Sequence, residues 1–145
     1  MSDASNYFSL KVELDYTYSL GALKPYFDAL ADARALASSC PACGKVNFPP
    51  RIVCGDDWSE TDWIELNGTG EVVEFTAGRG TNGNSVAFAL IQMKGADNLC
   101  LGRCEEQDVK VGNLVQIHTL DLPQSHPAQQ VIFKTVPSNH DNLKK

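Results

Sequence analysis

The sequence predicts a mainly β protein, in which an N-terminal strand and helix lead into a small metal-binding unit and then into a five-stranded barrel. Three observations predict this order: an alternating segment near the N-terminus, a cluster of spaced cysteines after it, and short β-type runs that fill the second half. The chain has 145 residues, which is room for one ordinary domain or for a small module joined to a small barrel.

The first element is YFSLKVELDYTYSL, residues 7–20, which alternates apolar and polar residues with a period of two. This pattern predicts a half-buried strand. Its apolar residues are Phe8, Leu10, Val12, Leu14, Tyr16 and Tyr18. Two interpretations stay open at this point: the strand packs on its own domain, or it is an arm that adds to the surface of a partner.

A helix is predicted next, from about Pro25 to Ala33. Tyr26, Phe27, Leu30 and Ala33 recur at spacings of three and four, which place them on one helical face. Proline fits the first turn because its fixed φ suits a helix and its missing N–H is not needed there.

The cysteine cluster is CPACGKVNFPPRIVCGDD, residues 40–57. Cys40 and Cys43 form one C-x-x-C pair, and Cys54 opens a second half-site fourteen residues after Cys40, with Asp57 where a fourth cysteine would stand. A carboxylate oxygen can replace a thiolate on zinc without changing the formal charge of the site. We therefore expect a structural zinc ion on these four residues; Asp56 or a water as the fourth ligand, or no metal at all, are the alternatives.

Two glycines support a pair of metal-binding turns. Gly44 and Gly55 each follow a cysteine directly, and we expect both at positions that need an unusual φ. The metal interpretation also fits the compartment. The first eight residues have no basic start and no apolar core, so we expect no signal peptide and a cytoplasmic location, where spaced cysteines are more often metal ligands than disulfides.

The barrel is predicted from five short runs rich in Val, Ile and Phe, each bounded by turn residues. They are GEVVEFTAG, SVAFALIQM, NLCLGRC, NLVQIHTL and QVIFKTV. Asn82-Gly83 lies between the first two runs and predicts a hairpin. Five strands in about seventy residues, with no convincing helix between them, favour a small closed barrel such as an OB-fold.

Two other functions are weakened by the composition. The formal net charge is −6, and the barrel segment has five basic and nine acidic residues, so a nucleic-acid groove is not expected. Cys100 and Cys104 are four residues apart in a predicted strand, about 13 Å from each other on the same face, which is too far to share a metal ion. We expect them to be buried core thiols, and the alternative is an enzyme that uses one of them as a nucleophile.

The order of these motifs resembles the acyl-CoA-associated zinc-ribbon plus OB-fold family. The matching text is YFDAL, CPACGKVNFPPRIVC, DWIELNGTGEVVEFT and, more weakly, VGNLVQI. The resemblance implies a rubredoxin-like ribbon that binds zinc, a barrel that does not bind nucleic acid, and a small hetero-oligomeric partner of thiolase-fold or hydratase-fold enzymes. Within this family, the sequence is similar to members that accompany thiolase-like and ketosynthase-like subunits in C-acetylation of a phenolic polyketide.

These observations predict four units: an N-terminal strand and helix arm (1–39), a zinc ribbon (40–61), an OB-fold barrel (62–136) and a flexible tail (137–145). No catalytic set of nucleophile, base and acid can be assembled from the residues, so we expect a non-catalytic scaffold subunit with no membrane association. The expected contact surfaces are the apolar face from Phe8 to Tyr18 and the loop from Phe48 to Arg51, although Arg51 is equally suited to brace the ribbon against its own barrel.

Overall fold

The computed structural model describes residues 6–79, 83–119 and 131–137. A 3-10 turn at Gly21–Leu23 leads into one α-helix, α1 (Lys24–Ala31), within these ranges. The strands of the same ranges are β1 (Ala35–Ser39), β2 (Val46–Asn47), β3 (Asp62–Leu66), β4 (Thr69–Arg79), β5 (Ser85–Met93), β6 (Leu99–Cys104), β7 (Leu114–His118) and β8 (Ile132–Thr135). The predicted mainly β class is confirmed.

The second half of the chain forms a closed five-stranded barrel with the strand order β4-β5-β6-β8-β7, as predicted. Pairing of β4 with β7 closes it, and only β6 and β8 run parallel. This order and the single parallel pair are those of an OB-like barrel. The predicted hairpin between β4 and β5 is confirmed by their antiparallel register from Gly70↔Met93 to Arg79↔Ser85, whereas Asn82 lies outside the described residues.

A second, three-stranded sheet has the order β2-β1-β3 and carries the cysteine cluster at one end. The sequence did not predict β1, because ALASS lacks the β-branched and aromatic residues that are typical of strands. Its pairing runs from Ala35↔Leu66 to Ser39↔Asp62. The three strands of this sheet thus come from three of the predicted units: β1 from the arm, β2 from the ribbon and β3 from the barrel segment. The division of the chain into four units stays a prediction.

Helix α1 confirms the predicted helix, with bounds one or two residues earlier. Its buried side chains are Tyr26, Ala29 and Leu30, which face the sheet that follows. Asp32 and Ala33 end the helix, and Ala33 has a φ of +55°. No helix in the described part of the chain is long and apolar enough to span a bilayer.

The predicted N-terminal strand is wrong for this chain, because residues 7–20 have no strand pairing. Of the two interpretations left open, packing on its own domain is wrong, and an arm that adds to a partner stays a prediction. Its large apolar side chains are 53–85% exposed: Tyr7, Phe8, Leu10, Val12, Leu14, Tyr16 and Tyr18. Period-two alternation shows that a segment can form a strand with one apolar face, but it cannot supply the neighbouring strand.

One core joins the helix, the three-stranded sheet and the barrel. Tyr26 and Phe48 belong to the same buried cluster as the barrel residues Ile91 and Phe133. The rings of Tyr26 and Phe48 meet edge to face at 5.9 Å between centroids. The prediction that Phe48 lies on a contact surface is therefore wrong, since its side chain is fully buried.

The loop between β5 and β6 attaches the ribbon to the barrel. Asn98 Oδ1 accepts the N–H of Phe48 at 2.9 Å, and Asn98 Nδ2 donates to the carbonyl of Phe48 at 3.0 Å. The neighbouring Asp97 forms a second such pair with the backbone of Val46. This brace replaces the one suggested for Arg51, whose backbone N–H instead bonds Ser38 within the ribbon.

Candidate metal centre

The structure brings the four residues predicted as metal ligands into one cluster. Cys40 follows β1, Cys43 ends the turn after it, and Cys54 and Asp57 lie in a second turn before β3. Their ligand atoms all lie within 4.8 Å of one another. Cys40 and Cys54 are buried, whereas Cys43 and Asp57 face the solvent. The cluster is thus compatible with a metal ion held at the edge of the ribbon.

The distances within the cluster fit a tetrahedral ion of the size of zinc. Zn–S bonds of about 2.3 Å and Zn–O bonds of about 2.0 Å imply tetrahedron edges of about 3.8 Å between two sulfurs and about 3.5 Å between sulfur and oxygen. Cys43 Sγ and Cys54 Sγ are 3.7 Å apart. Cys40 Sγ is 3.6 and 3.4 Å from the two carboxylate oxygens of Asp57. The Cys43–Cys54 and Cys40–Asp57 separations are therefore close to the expected edges of a tetrahedral site, and the remaining pairs of ligand atoms lie within 4.8 Å.

Backbone N–H groups favour the charged forms of the two ligand candidates in the second turn. The N–H groups of Asp56 and Asp57 point at Cys54 and lower the pKa of its thiol. Asp57 Oδ1 accepts the N–H of Ser59 at 2.9 Å, and this bond lowers the pKa of the carboxyl group. Zinc binds thiolate and carboxylate, so these bonds favour the ligand forms and also fix the orientation of Asp57.

Cys43 is the exposed cysteine of the cluster, and the pKa of its thiol shifts in the opposite direction. The N–H of Lys45 lowers its pKa, but the adjacent Cys40 thiol, desolvation and the Cys54 thiol outweigh that bond and raise the pKa to about 11. Closely packed sulfurs resist sharing negative charge. A divalent cation among them would reverse that balance and keep all three as thiolates.

Asp56, the alternative fourth ligand, is not part of the cluster. Its carboxylate instead forms an ion pair with Lys45 at 3.2 Å, which links the first turn to the second. Both side chains are substantially exposed, so this pair adds little stability. The structure thus favours Asp57 over Asp56 as the oxygen that faces the sulfurs.

The two glycines of the cluster have different roles. Gly44 has a φ of +77°, as the sequence predicted. The prediction for Gly55 is wrong, because its φ is not in the left-handed region; instead, a β-carbon at Gly55 would lie 2.7 Å from Arg51 Nη1. The second residue with a left-handed backbone in this cluster is Trp58, at φ +63°, which sequence reasoning missed.

Cys100 and Cys104 are not part of this cluster. Both are buried in the barrel core, which confirms the prediction that they are packing residues. Burial raises the pKa of Cys100 to about 12, and burial with the charge of Glu106 raises that of Cys104 to about 11. A cysteine nucleophile needs a lowered pKa, so neither thiol is suited to acyl transfer.

Comparison with known proteins agrees with this architecture. Residues 27–62 match the family model described as ChsH2, rubredoxin-like zinc ribbon domain. No curated protein sequence matches the chain. The fold is that of known structures. A DUF35-family protein of unknown function from Sulfolobus solfataricus is 24% identical, with a TM-score of 0.61 over 80% of this chain and 84% of that one.

A second solved structure is the Ltp2-ChsH2(DUF35) aldolase. The compared chain is 19% identical, with a TM-score of 0.58 over 76% of this chain and 91% of that one. At these identities the two likenesses show the fold alone. They agree with the element order seen here, a ribbon that precedes a closed barrel.

Proposed function

We propose that this chain is a non-catalytic small subunit of a thiolase-type acyltransferase complex. The observation that carries the proposal is the exposure of the N-terminal arm, residues 7–18, whose seven large apolar side chains are 53–85% exposed. Large apolar side chains exposed together in one segment mark an interaction site. The apolar side chains of this segment are not part of the buried core, so they are available to a partner.

The type of partner is supported by the comparisons. The ribbon matches the ChsH2 domain, and one structural neighbour joins a ChsH2(DUF35) chain to Ltp2 in an aldolase. These findings support a partner that is an enzyme subunit. The thiolase fold of that partner, and a second, ketosynthase-like subunit, rest on the resemblance of the sequence to the acyl-CoA-associated family. The acidic barrel argues against nucleic acid as the partner.

We infer a structural zinc ion on Cys40, Cys43, Cys54 and Asp57. Zinc would supply rigidity, not reaction chemistry, because four protein ligands leave no open position for substrate. These residues would tie the two turns together and hold the ribbon sheet in place beside the barrel. The separations of 3.4 to 3.7 Å described above support this assignment.

For the reaction of the whole complex, we propose C-acetylation of a phloroglucinol-type polyketide in the cytoplasm. This rests on sequence resemblance to the small subunit of bacterial phloroglucinol acetyltransferase complexes. The second candidate is an adaptor of another thiolase-type complex, either acetoacetyl-CoA thiolase with hydroxymethylglutaryl-CoA synthase or a sterol side-chain aldolase or hydratase. The aldolase neighbour favours the last of these.

Co-purification from the native host tests the proposal. We expect the tagged chain to elute in fixed stoichiometry with a larger thiolase-fold chain, identified by mass spectrometry. A triple variant with Leu10→Ser, Val12→Ser and Leu14→Ser should no longer bind that chain. Its own circular dichroism spectrum should be unchanged, since these side chains are exposed. Elution of the wild-type chain alone would contradict the proposal.

Activity measurements separate the two candidate reactions. The isolated small chain should transfer no acyl group. The purified complex should transfer an acetyl group from an acyl donor to a ring carbon of a phloroglucinol-type acceptor, with release of the deacetylated donor. In the aldolase case it should instead cleave the Cα–Cβ bond of a β-hydroxyacyl-CoA, giving a carbonyl compound and a shorter acyl-CoA. Acyl transfer by the small chain alone at the rate of the complex would refute the non-catalytic role.

A further inference from the structure

The two metal-binding turns share one backbone frame. In the first turn the N–H of Cys40 donates to the carbonyl of Lys45 at 3.0 Å, and the N–H of Gly44 donates to the carbonyl of Cys40 at 2.8 Å. In the second turn Cys54 donates to Ser59 at 2.9 Å, and Trp58 donates to Cys54 at 3.1 Å. Trp58 therefore occupies the position that Gly44 occupies in the first turn.

This position requires a left-handed backbone. Gly44 has φ +77° and Trp58 has φ +63°. Glycine adopts such a φ without strain, whereas a bulky side chain does so at an energetic cost. The first turn has glycine at this left-handed position, whereas the second turn has tryptophan.

The indole ring gains little packing in return for that cost. The Trp58 side chain is 82% exposed, so its indole ring buries little surface against the rest of the molecule. The hydrogen bonds of the turn hold Trp58 at this φ, and residues held in such conformations are concentrated at functional sites. Tryptophan is also one of the residue types that are enriched among the residues that dominate binding energy at protein interfaces.

The surroundings of Trp58 indicate the chemistry of what it binds. Trp58 lies at the tip of a hairpin in which Val53 pairs with Glu60. Ile52 and Val53 on this hairpin are about 40% exposed, at 38% and 41%. Glu60 and Asp62 are exposed carboxylates with no ion pair to any described residue. Residues 51–62 also hold one exposed cation, Arg51, but four exposed carboxylates, so the surface around the apolar centre is acidic overall. Such a surface is complementary to an apolar pocket with a basic rim.

We propose that Trp58 is an anchor residue that inserts into an apolar pocket of the thiolase-fold partner subunit, rimmed by Lys or Arg side chains. The proposal rests on the proposed function, because that function supplies the partner. It adds a second contact to the N-terminal arm and places it at the metal-binding tip of the ribbon. The strained backbone then persists because it presents the indole ring outward.

The decisive variant is Trp58→Gly, because stability and binding should change in opposite directions. Glycine suits the observed φ, so the thermal midpoint of the isolated chain should stay the same or rise. The Kd for the purified thiolase-fold chain, measured by calorimetry, should increase at least about tenfold. Trp58→Phe is the matched control and should retain most of the affinity.

The rim is tested by the pair Glu60→Gln and Asp62→Asn. This variant should weaken binding at low salt and match the wild type at high salt, because exposed charges are screened. A lower thermal midpoint for Trp58→Gly, or a Kd within about twofold of the wild type, would overturn the inference. So would a wild-type dimer that Trp58→Gly dissociates, because the pocket would then belong to a second copy.

The two proposals fail in distinguishable ways. If no thiolase-fold chain co-purifies with the wild-type protein, the proposed function fails and this inference fails with it. If that chain binds the wild type and Trp58→Gly equally, only the inference about Trp58 fails.

Discussion

The Sγ atoms of Cys43 and Cys54 lie 3.7 Å apart, although the two residues are eleven positions apart and the strand β2 lies between them along the chain. Two turns from opposite ends of a long loop thus meet at one point. The same loop passes through the core at Phe48 and is held there by Asn98 of the barrel. The candidate metal centre and the attachment of ribbon to barrel are therefore consecutive parts of one structure.

The metal content of three variants tests the ligand set. We expect about one zinc per wild-type chain by elemental analysis, the same or tighter binding for Asp57→Cys, and loss of zinc for Cys43→Ser. Asp56→Asn is the matched control and should keep its zinc, since Asp56 pairs with Lys45 instead. Wild-type protein without zinc, or zinc loss in Asp56→Asn, would contradict this assignment.

The brace at Asn98 predicts a loss of stability on truncation. Asn98→Ala leaves both the N–H and the carbonyl of the buried Phe48 without a partner. We expect the free energy of unfolding in urea to fall by about 1–3 kcal/mol. Asn98→Asp keeps the acceptor and loses the donor, so it should fall between the wild type and Asn98→Ala. Equal stability of all three proteins would show that the brace contributes nothing.

The barrel interior predicts intolerance of a methyl group at Gly102. A β-carbon at this position would collide with the ring of Phe133, which is fully buried. Gly102→Ala should therefore lower the free energy of unfolding by about 1–3 kcal/mol through overpacking. Gly78→Ala is the control, because nothing lies within 4 Å of its β-carbon; its effect should be within about 0.5 kcal/mol.

Glu106 predicts a pH-dependent contribution to barrel closure. Burial raises the pKa of its carboxyl group, but the N–H of Thr135 and the charge of Lys134 outweigh burial and lower it. Glu106 Oε2 accepts that N–H at 3.1 Å and so holds β8 beside β6. A pKa that is lower in the folded state means stabilisation at neutral pH, which is lost as the pH falls through the folded pKa.

The measurement is the unfolding free energy of Glu106→Gln against pH. The variant should be less stable than the wild type by about 1 kcal/mol at pH 7, and the two curves should converge in acid, below the ordinary pKa of 4.5. Glu71→Gln, a change at an exposed carboxylate of β4, is the control. Curves that stay parallel down to low pH would rule out this role.

The sequence predicted the elements whose signals are local. The spacing of Cys40, Cys43, Cys54 and Asp57 is a property of two tight turns, and it named the residues that the structure brings together. The five barrel strands were found because β-branched and aromatic runs bounded by turn residues need no knowledge of their neighbours. The burial of Cys100 and Cys104 followed from their place in one of those runs.

Other features depended on residues far apart in the sequence. ALASS became β1 because it lies between β2 and β3, where small side chains fit, and not because of its own propensity. Phe48 is buried because its ring packs against Tyr26 and its backbone N–H donates to Asn98. The alternating N-terminal segment stayed exposed because none of the strands in residues 6–79, 83–119 and 131–137 pairs with it.

The sequence by itself determined the candidate ligand residues and the barrel strands, since turn chemistry and side-chain period act over a few neighbouring residues. Only the tertiary structure decided which apolar side chains are covered, which strands share a sheet, and that Trp58 stands exposed where its counterpart is glycine. Burial and pairing are properties of two surfaces that meet, and a linear pattern describes only one of them.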